Sequence, residues 1–176
     1  LPRKNYKKGY NYPLKRGKWD AYEGGIRVPF IVKGPNIKPN SQSEVSISFS
    51  DLLPTIIHLA GGKENFINEK IDGGSFKKNL FEDPNSRVIR NKDFLIFHLP
   101  FRRGSFNPHS AIIKDELKLI KFLNSNKVLL FNLKDDLNEK NDISKKFPEI
   151  TFNLNSQLEE YLKEVKALKW KKNINW

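Results

Sequence analysis

Lys18 stands just ahead of a glycine pair, Gly24-Gly25, and that pair opens into the short apolar run Ile26-Arg27-Val28-Pro29-Phe30-Ile31-Val32. After the helix-permissive Tyr22-Glu23, two glycines mark a sharp backbone turn that needs positive φ or a close approach. Ligands of open α/β sheets gather at strand ends and the loops beside them. A lysine before such a turn can aim a compact, three-donor cation at an anion. On residue type alone it reads better as one solvated lysine among 32 Lys and Arg. Glu23 and Arg27 flank the run and suit a structural ion pair holding the turn. Trp19 fits packing beneath Lys18 better than stacking on a sugar.

Other chemistry is narrowly bounded. The chain has no cysteine, which removes disulfides and thiolate ligands, and its 3 histidines are His58, His98 and His109. None of their separations matches a zinc site, so no metal ligand is assigned. The net charge of +12 suits polyanions, a sulfated polysaccharide included. Lysines are spread along the whole chain and no nucleic-acid motif accompanies them, so no specific nucleic-acid partner is expected. No apolar run reaches the roughly 20 residues of a membrane span. A chain that starts at Leu1, with no Met and no apolar leader segment, reads as one without its natural start.

The elements that would position these groups fall into two parts. Residues 1–15 read as loop. Ile26–Val32, ended by Gly34-Pro35, suits a buried strand, with Pro29 placing it near a strand start or edge. Ser50 caps a helix in which Leu53, Ile56, Ile57 and Ala60 form one apolar stripe, ended by Gly61-Gly62. A short helix fits Phe76 to Phe81. Strands are expected at Asp93–Phe97, Ser110–Lys114, Leu117–Phe122 and Lys127–Leu133, the last three joined by tight hairpin links. Their alternation is imperfect, as in a sheet covered on both sides. Pro148 and Glu149 open a closing helix with the stripe Leu154, Leu158, Tyr161 and Val165. Residues 168–176 form a basic tail with two tryptophans. The order implies the end of a larger α/β domain over residues 1–87. A four-stranded antiparallel sheet with a helix, an α+β subdomain, follows over 88–176.

The run from Pro13 to Pro29, with Gly17-Lys18-Trp19 and Glu23-Gly24-Gly25-Ile26-Arg27-Val28-Pro29, closely resembles the second signature of the formylglycine-dependent sulfatases. The resemblance continues in order through Ser50-Asp51-Leu52-Leu53-Pro54-Thr55 and Ile71-Asp72-Gly73-Gly74-Ser75. It goes on through Phe97-His98-Leu99-Pro100, Ala111–Lys114 with Lys118-Leu119-Ile120, and Leu130–Asp136. It implies the C-terminal part of an alkaline-phosphatase-like α/β fold and a sulfuric ester hydrolase. In that family a formylglycine hydrate attacks sulfur and a divalent cation, usually calcium, binds the sulfate. The signature lysine contacts a sulfate oxygen, a role that Lys18 inherits.

The departures are as informative. No Cys or Ser is followed by x-Pro-x-Arg, the family's nucleophile motif, and the metal-binding positions belong upstream of the matched region. Formylglycine and Ca2+ are therefore expected on residues outside this chain. The segment alone is expected to be inactive without the missing N-terminal part. His98-Leu99-Pro100-Phe101-Arg102-Arg103 resembles a block of polysaccharide-directed sulfatases facing the active-site mouth. It implies substrate contacts by His98, Arg102 and Arg103, whose guanidinium forks suit oxyanions, and His109 could line the same mouth. The expected substrate is a sulfated polysaccharide or oligosaccharide. Location follows the exported, periplasmic or extracellular, members of the family. The rival readings are a non-enzymatic polyanion-binding module and a phosphohydrolase of the same superfamily.

Overall fold

The computed structural model describes residues 11–62, 71–101, 107–125 and 127–171. Backbone contacts group the chain into two compact units, one from the residues up to Pro29 with Ile96 onward, the other Phe30–Leu95.

The first unit is built on a sheet of β1 (Leu95–Leu99), β2 (His109–Lys114), β3 (Leu117–Phe122) and β4 (Val128–Asn132), in that spatial order. The β2–β3 and β3–β4 ladders are antiparallel, pairing Ile112 with Leu119 and Leu119 with Leu130. Asp115 turns the first hairpin at φ 52°, a left-handed conformation that Asp tolerates better than most residues.

Both faces are covered, because residues directly opposite in adjacent strands share a face and alternate along each strand. Ala111, Ile120, Leu129 and Phe131 form a core with Ala21 and Tyr22, so residues ahead of Gly24 lie on this face. Ser110, Ile112, Leu119, Lys121 and Leu130 belong to the other. There α4 (Pro148–Glu164) packs, burying Leu154 and Leu158 and pairing Glu159 with Lys121. Pro148 occupies the first turn of α4, and Thr151 Oγ1 donates to Phe147 O at 2.8 Å. The stripe expected along α4 is buried at its start and emerges at its end, where Val165 is 49% exposed.

From Arg27 to Lys77 the structure departs from the sequence expectations. Residues 27–34 form no strand. Ile31 is 90% exposed, Pro29 lacks an N–H, and no strand among the described residues pairs with the run. A lone extended segment has nothing to take its ladder hydrogen bonds. The expected helix exists as a 3-10 turn (Phe49–Asp51) leading into α2 (Leu52–Leu59), but its capping residue is Ser48. The Ser48 side chain accepts from Ser50 N–H, and Asp51 Oδ2 accepts the Ser48 N–H at 2.6 Å.

The buried face of α2 is the polar one. Asp51 is fully buried, and its two oxygens accept from Arg90 Nε at 2.8 Å and Nη2 at 2.7 Å. Its Oδ1 also accepts the Gly74 N–H at 2.9 Å. Thr55 Oγ1 donates to Asp51 O and accepts the N–H of Phe76, which precedes α3 (Lys77–Phe81). The apolar stripe faces outward instead, with Leu53 and Ile56 more than half exposed and Phe49 85% exposed. Among the described residues no helix is long and apolar enough to cross a membrane.

Candidate functional site

Residues 15–20 form a loop laid over α1, the single helical turn Glu23–Ile26. The glycine pair works by close approach. Neither Gly24 nor Gly25 has a positive φ, but a Cβ on Gly24 would meet Arg16 O and lie 2.5 Å from Lys15 O. One on Gly25 would meet Asp20 O and lie 2.6 Å from Gly17 O. The loop's main chain occupies the space side chains would fill. Gly24 N–H donates to Lys15 O at 2.9 Å, and Asn11 Nδ2 donates to Gly24 O at 2.9 Å and Arg16 O at 3.2 Å. Arg16 at φ 61° and Trp19 at φ 80° turn the chain back within the loop.

Lys18 lies at the exposed tip of this loop, its ammonium 4.9 Å from the centre of the half-buried Trp19 ring. On either side the loop is tied to the sheet. Asp20 is buried beside Arg16 Nε at 3.4 Å and His109 Nε2 at 3.4 Å. Its burial raises the carboxyl pKa, against the opposing pull of His109 and Arg16. Lys15 donates to Glu139 O at 2.7 Å, and burial lowers its pKa. Its ammonium sits 4.5 Å from the centre of the Tyr22 ring. Tyr22, 5% exposed, is pushed up to about 12 by burial first and by the Asp20 charge second.

A group that sequence reasoning missed lies beneath α1. Lys118 of β3 is fully buried, and its ammonium stands 2.8 Å from Glu23 Oε1 and 2.8 Å from Glu139 Oε1. Glu139 Oε2 also accepts the Glu23 N–H at 2.7 Å. Desolvation raises the Glu139 pKa, with the Lys118 charge opposing it. The expected pair of Glu23 with Arg27 is present at 3.5 Å. The available signal was a lysine inside the apolar run Leu117–Ile120, on the same face as Ile120.

Of the two histidines expected at the site, His109 is brought against the Lys18 loop. His109 is 2% exposed, its Nε2 accepting the Ala21 N–H at 2.8 Å and its Nδ1 lying 2.7 Å from Asn107 O. Both ring nitrogens have partners within the fold, and the ring anchors the loop's exit. His98 is on the opposite face of the sheet, with Nδ1 2.7 Å from Ser110 Oγ and Nε2 2.8 Å from Leu168 O. The alternation of β1 dictates this, since its neighbours Phe97 and Leu99 pack on the Ala21 side. Arg102 and Arg103 lie outside the described residues. Among the described residues no three His, Cys, Asp or Glu side chains gather as a metal site requires.

Comparison with known proteins agrees with this arrangement of the chain. Residues 16–167 match the family described as N-sulphoglucosamine sulphohydrolase, C-terminal. A sulfatase of Formosa agariphila is 30% identical over 166 residues, covering 86% of this chain and 30% of that protein. Arylsulfatase K of Canis lupus familiaris is 26% identical over 180 residues, 89% of this chain and 32% of that protein. The chain thus spans about a third of the length of these curated relatives. The crystal structure of Ps i-CgsB in complex with k-i-k-neocarrahexaose superimposes with a TM-score of 0.70 at 26% identity. The match covers 94% of this chain and 36% of that one, and the fold is the C-terminal part of the alkaline-phosphatase-like sulfatase fold. With a family match that takes in the Lys18 loop, the sheet and α4 alike, the chain belongs to the sulfatase family as its C-terminal region.

Proposed function

We propose that this chain supplies the Lys18 loop of a sulfuric ester hydrolase acting on a sulfated polysaccharide or oligosaccharide, within a longer polypeptide. One observation carries the reading: the Gly24-Gly25 turn receives the Lys15–Asp20 main chain and leaves Lys18 at an exposed tip. A lysine held on a backbone so constrained offers its donors without first paying the entropy of ordering a flexible loop. Its ammonium would donate to a sulfate oxygen on which charge develops. A preorganised donor of this kind is worth about 2.7–4 kcal/mol of barrier.

The formylglycine and the calcium ion that the family employs would be held by polypeptide outside this chain, which has no Cys and no Ser-x-Pro-x-Arg. The outward apolar residues Phe49, Leu53, Ile56 and Ile31 suit burial by that polypeptide; an exposed apolar surface of this kind commonly marks an interaction face. The isolated chain would be inactive. A carbohydrate substrate is favoured by the relative solved with neocarrahexaose and by the net charge of +12. A polymer of that kind is met outside the cytoplasm, and export of the enzyme follows.

The test is Lys18→Ala in the sulfatase polypeptide that carries this chain. Turnover of a sulfated oligosaccharide should fall by about two orders of magnitude or more, the equivalent of the lost donor. Turnover close to that of the parent would remove Lys18 from the chemistry.

A further inference from the structure

We infer that Lys118 and Glu139 are positioning residues for the Lys18 loop, acting through Glu23 and α1 rather than on substrate. The inference rests on the reading of Lys18 just given, but its geometry stands independently. Glu139 meets the site through one ion pair and two hydrogen bonds. Its Oε1 faces the Lys118 ammonium at 2.8 Å, its Oε2 accepts the Glu23 N–H at 2.7 Å, and its main-chain oxygen accepts from Lys15 Nζ at 2.7 Å. Lys118 then holds the Glu23 side chain at 2.8 Å. The start of α1 and the start of the loop are thus fixed to one residue on the connection after β4.

Position passes from there to Lys18 along the main chain. Gly24 N–H holds Lys15 O, and the Gly25 Cα lies against the carbonyls of Gly17 and Asp20, which bracket Lys18. No part of the Lys118–Glu139 pair is exposed, both residues having zero relative exposure. Groups so enclosed cannot bind a carbohydrate themselves. A buried lysine between two carboxylates is also a costly way to gain stability, since a well-packed apolar cluster usually does as well. What the charged cluster adds is direction: each bond fixes an atom of α1 or of the loop.

Glu139→Gln, in the sulfatase polypeptide that carries the chain, separates this role from general stabilisation. The variant keeps an acceptor for the Glu23 N–H and leaves Lys118 paired with Glu23. Amide hydrogen exchange at Ala21 and Gly24 should quicken by about tenfold while the β2–β3 ladder is unchanged. Turnover should fall by about tenfold with KM within about twofold, and the same change in a Lys18→Ala background should cost nothing further. Lys15→Met removes the bond to Glu139 O and the ammonium's contact with the Tyr22 ring, and spares the buried ion pairs of Lys118. It should reproduce the exchange change in smaller measure, and it serves if Glu139→Gln folds poorly.

Unchanged exchange in the loop for both variants would overturn the inference. So would a uniform quickening across the sheet, or losses that multiply with Lys18→Ala. Faster exchange in the loop together with a neutral Lys18→Ala would uphold the positioning geometry and overturn the catalytic reading of Lys18.

Discussion

Nε2 of His109 accepts the backbone N–H of Ala21 at 2.8 Å, so a ring on β2 holds the main chain two residues after Trp19. Its Nδ1 lies 2.7 Å from Asn107 O, so both ring nitrogens have partners within the fold. The histidine thus links two loops that the sequence separates widely.

His109→Leu should therefore act on stability and on the loop, leaving the buried Ala21 N–H without a partner. An unsatisfied buried donor costs about 1–3 kcal/mol. Denaturant unfolding should show a loss of that size, and His109→Gln, which can still accept from Ala21, should recover part of it. A His109→Leu variant as stable as the parent would contradict the assignment.

Two glycines distinguish close approach from backbone conformation. A Cβ on Gly25 would be driven into the carbonyls of Asp20 and Gly17, main-chain atoms that cannot rotate away. Gly25→Ala should cost about 3 kcal/mol or more, at the upper end of overpacking effects. Gly61, at φ 82°, has nothing within 4 Å of its would-be Cβ. Gly61→Ala should cost only the left-handed penalty of about 1–2 kcal/mol. Thermal unfolding of the two variants side by side would show the difference, and equal losses would argue against the packed turn.

The buried phenol of Tyr22 sets an alkaline limit. Burial pushes it up to about 12 from an ordinary value of 10. Below pH 10 both folded and unfolded chains keep the proton, and the group contributes no slope. Between 10 and about 12 the unfolded chain releases a proton that the folded chain keeps. Stability therefore falls as pH rises through that window, by about 1.4 kcal/mol for each pH unit crossed. Tyr22→Phe should flatten this limb, and tyrosinate absorbance should lose one late-titrating group among the 5 tyrosines. An unaltered titration curve would place the late phenol elsewhere.

The strands and α4 were legible because their signals are local. Alternation, hairpin spacing and Pro148 each act within a few residues, and β2, β3 and β4 fall within one residue of the expected ends. The glycine pair was legible as a turn, though not the reason for it, since close approach depends on where residues 15–20 go. The place of Lys118 on the Ile120 face was legible, but its partners were not. Its partner Glu23 lies 95 positions away, and strand alternation alone places a lysine without naming what neutralises it. The α2 stripe misled in the opposite sense. Periodicity reported correctly that Leu53 and Ile56 share a face, but the buried side was decided by Asp51 and its grip on Arg90 and Gly74. The face that His98 takes was hidden for a similar reason, because it follows from the packing of Phe97 and Leu99.

The most direct test is a crystal structure of the sulfatase polypeptide that carries this chain, with a sulfated oligosaccharide bound. Lys18 Nζ should lie about 2.7–3.2 Å from an oxygen of the sulfate group, the range of a made hydrogen bond. A sulfate seated elsewhere, with the Lys18 ammonium directed into bulk water, would contradict the account.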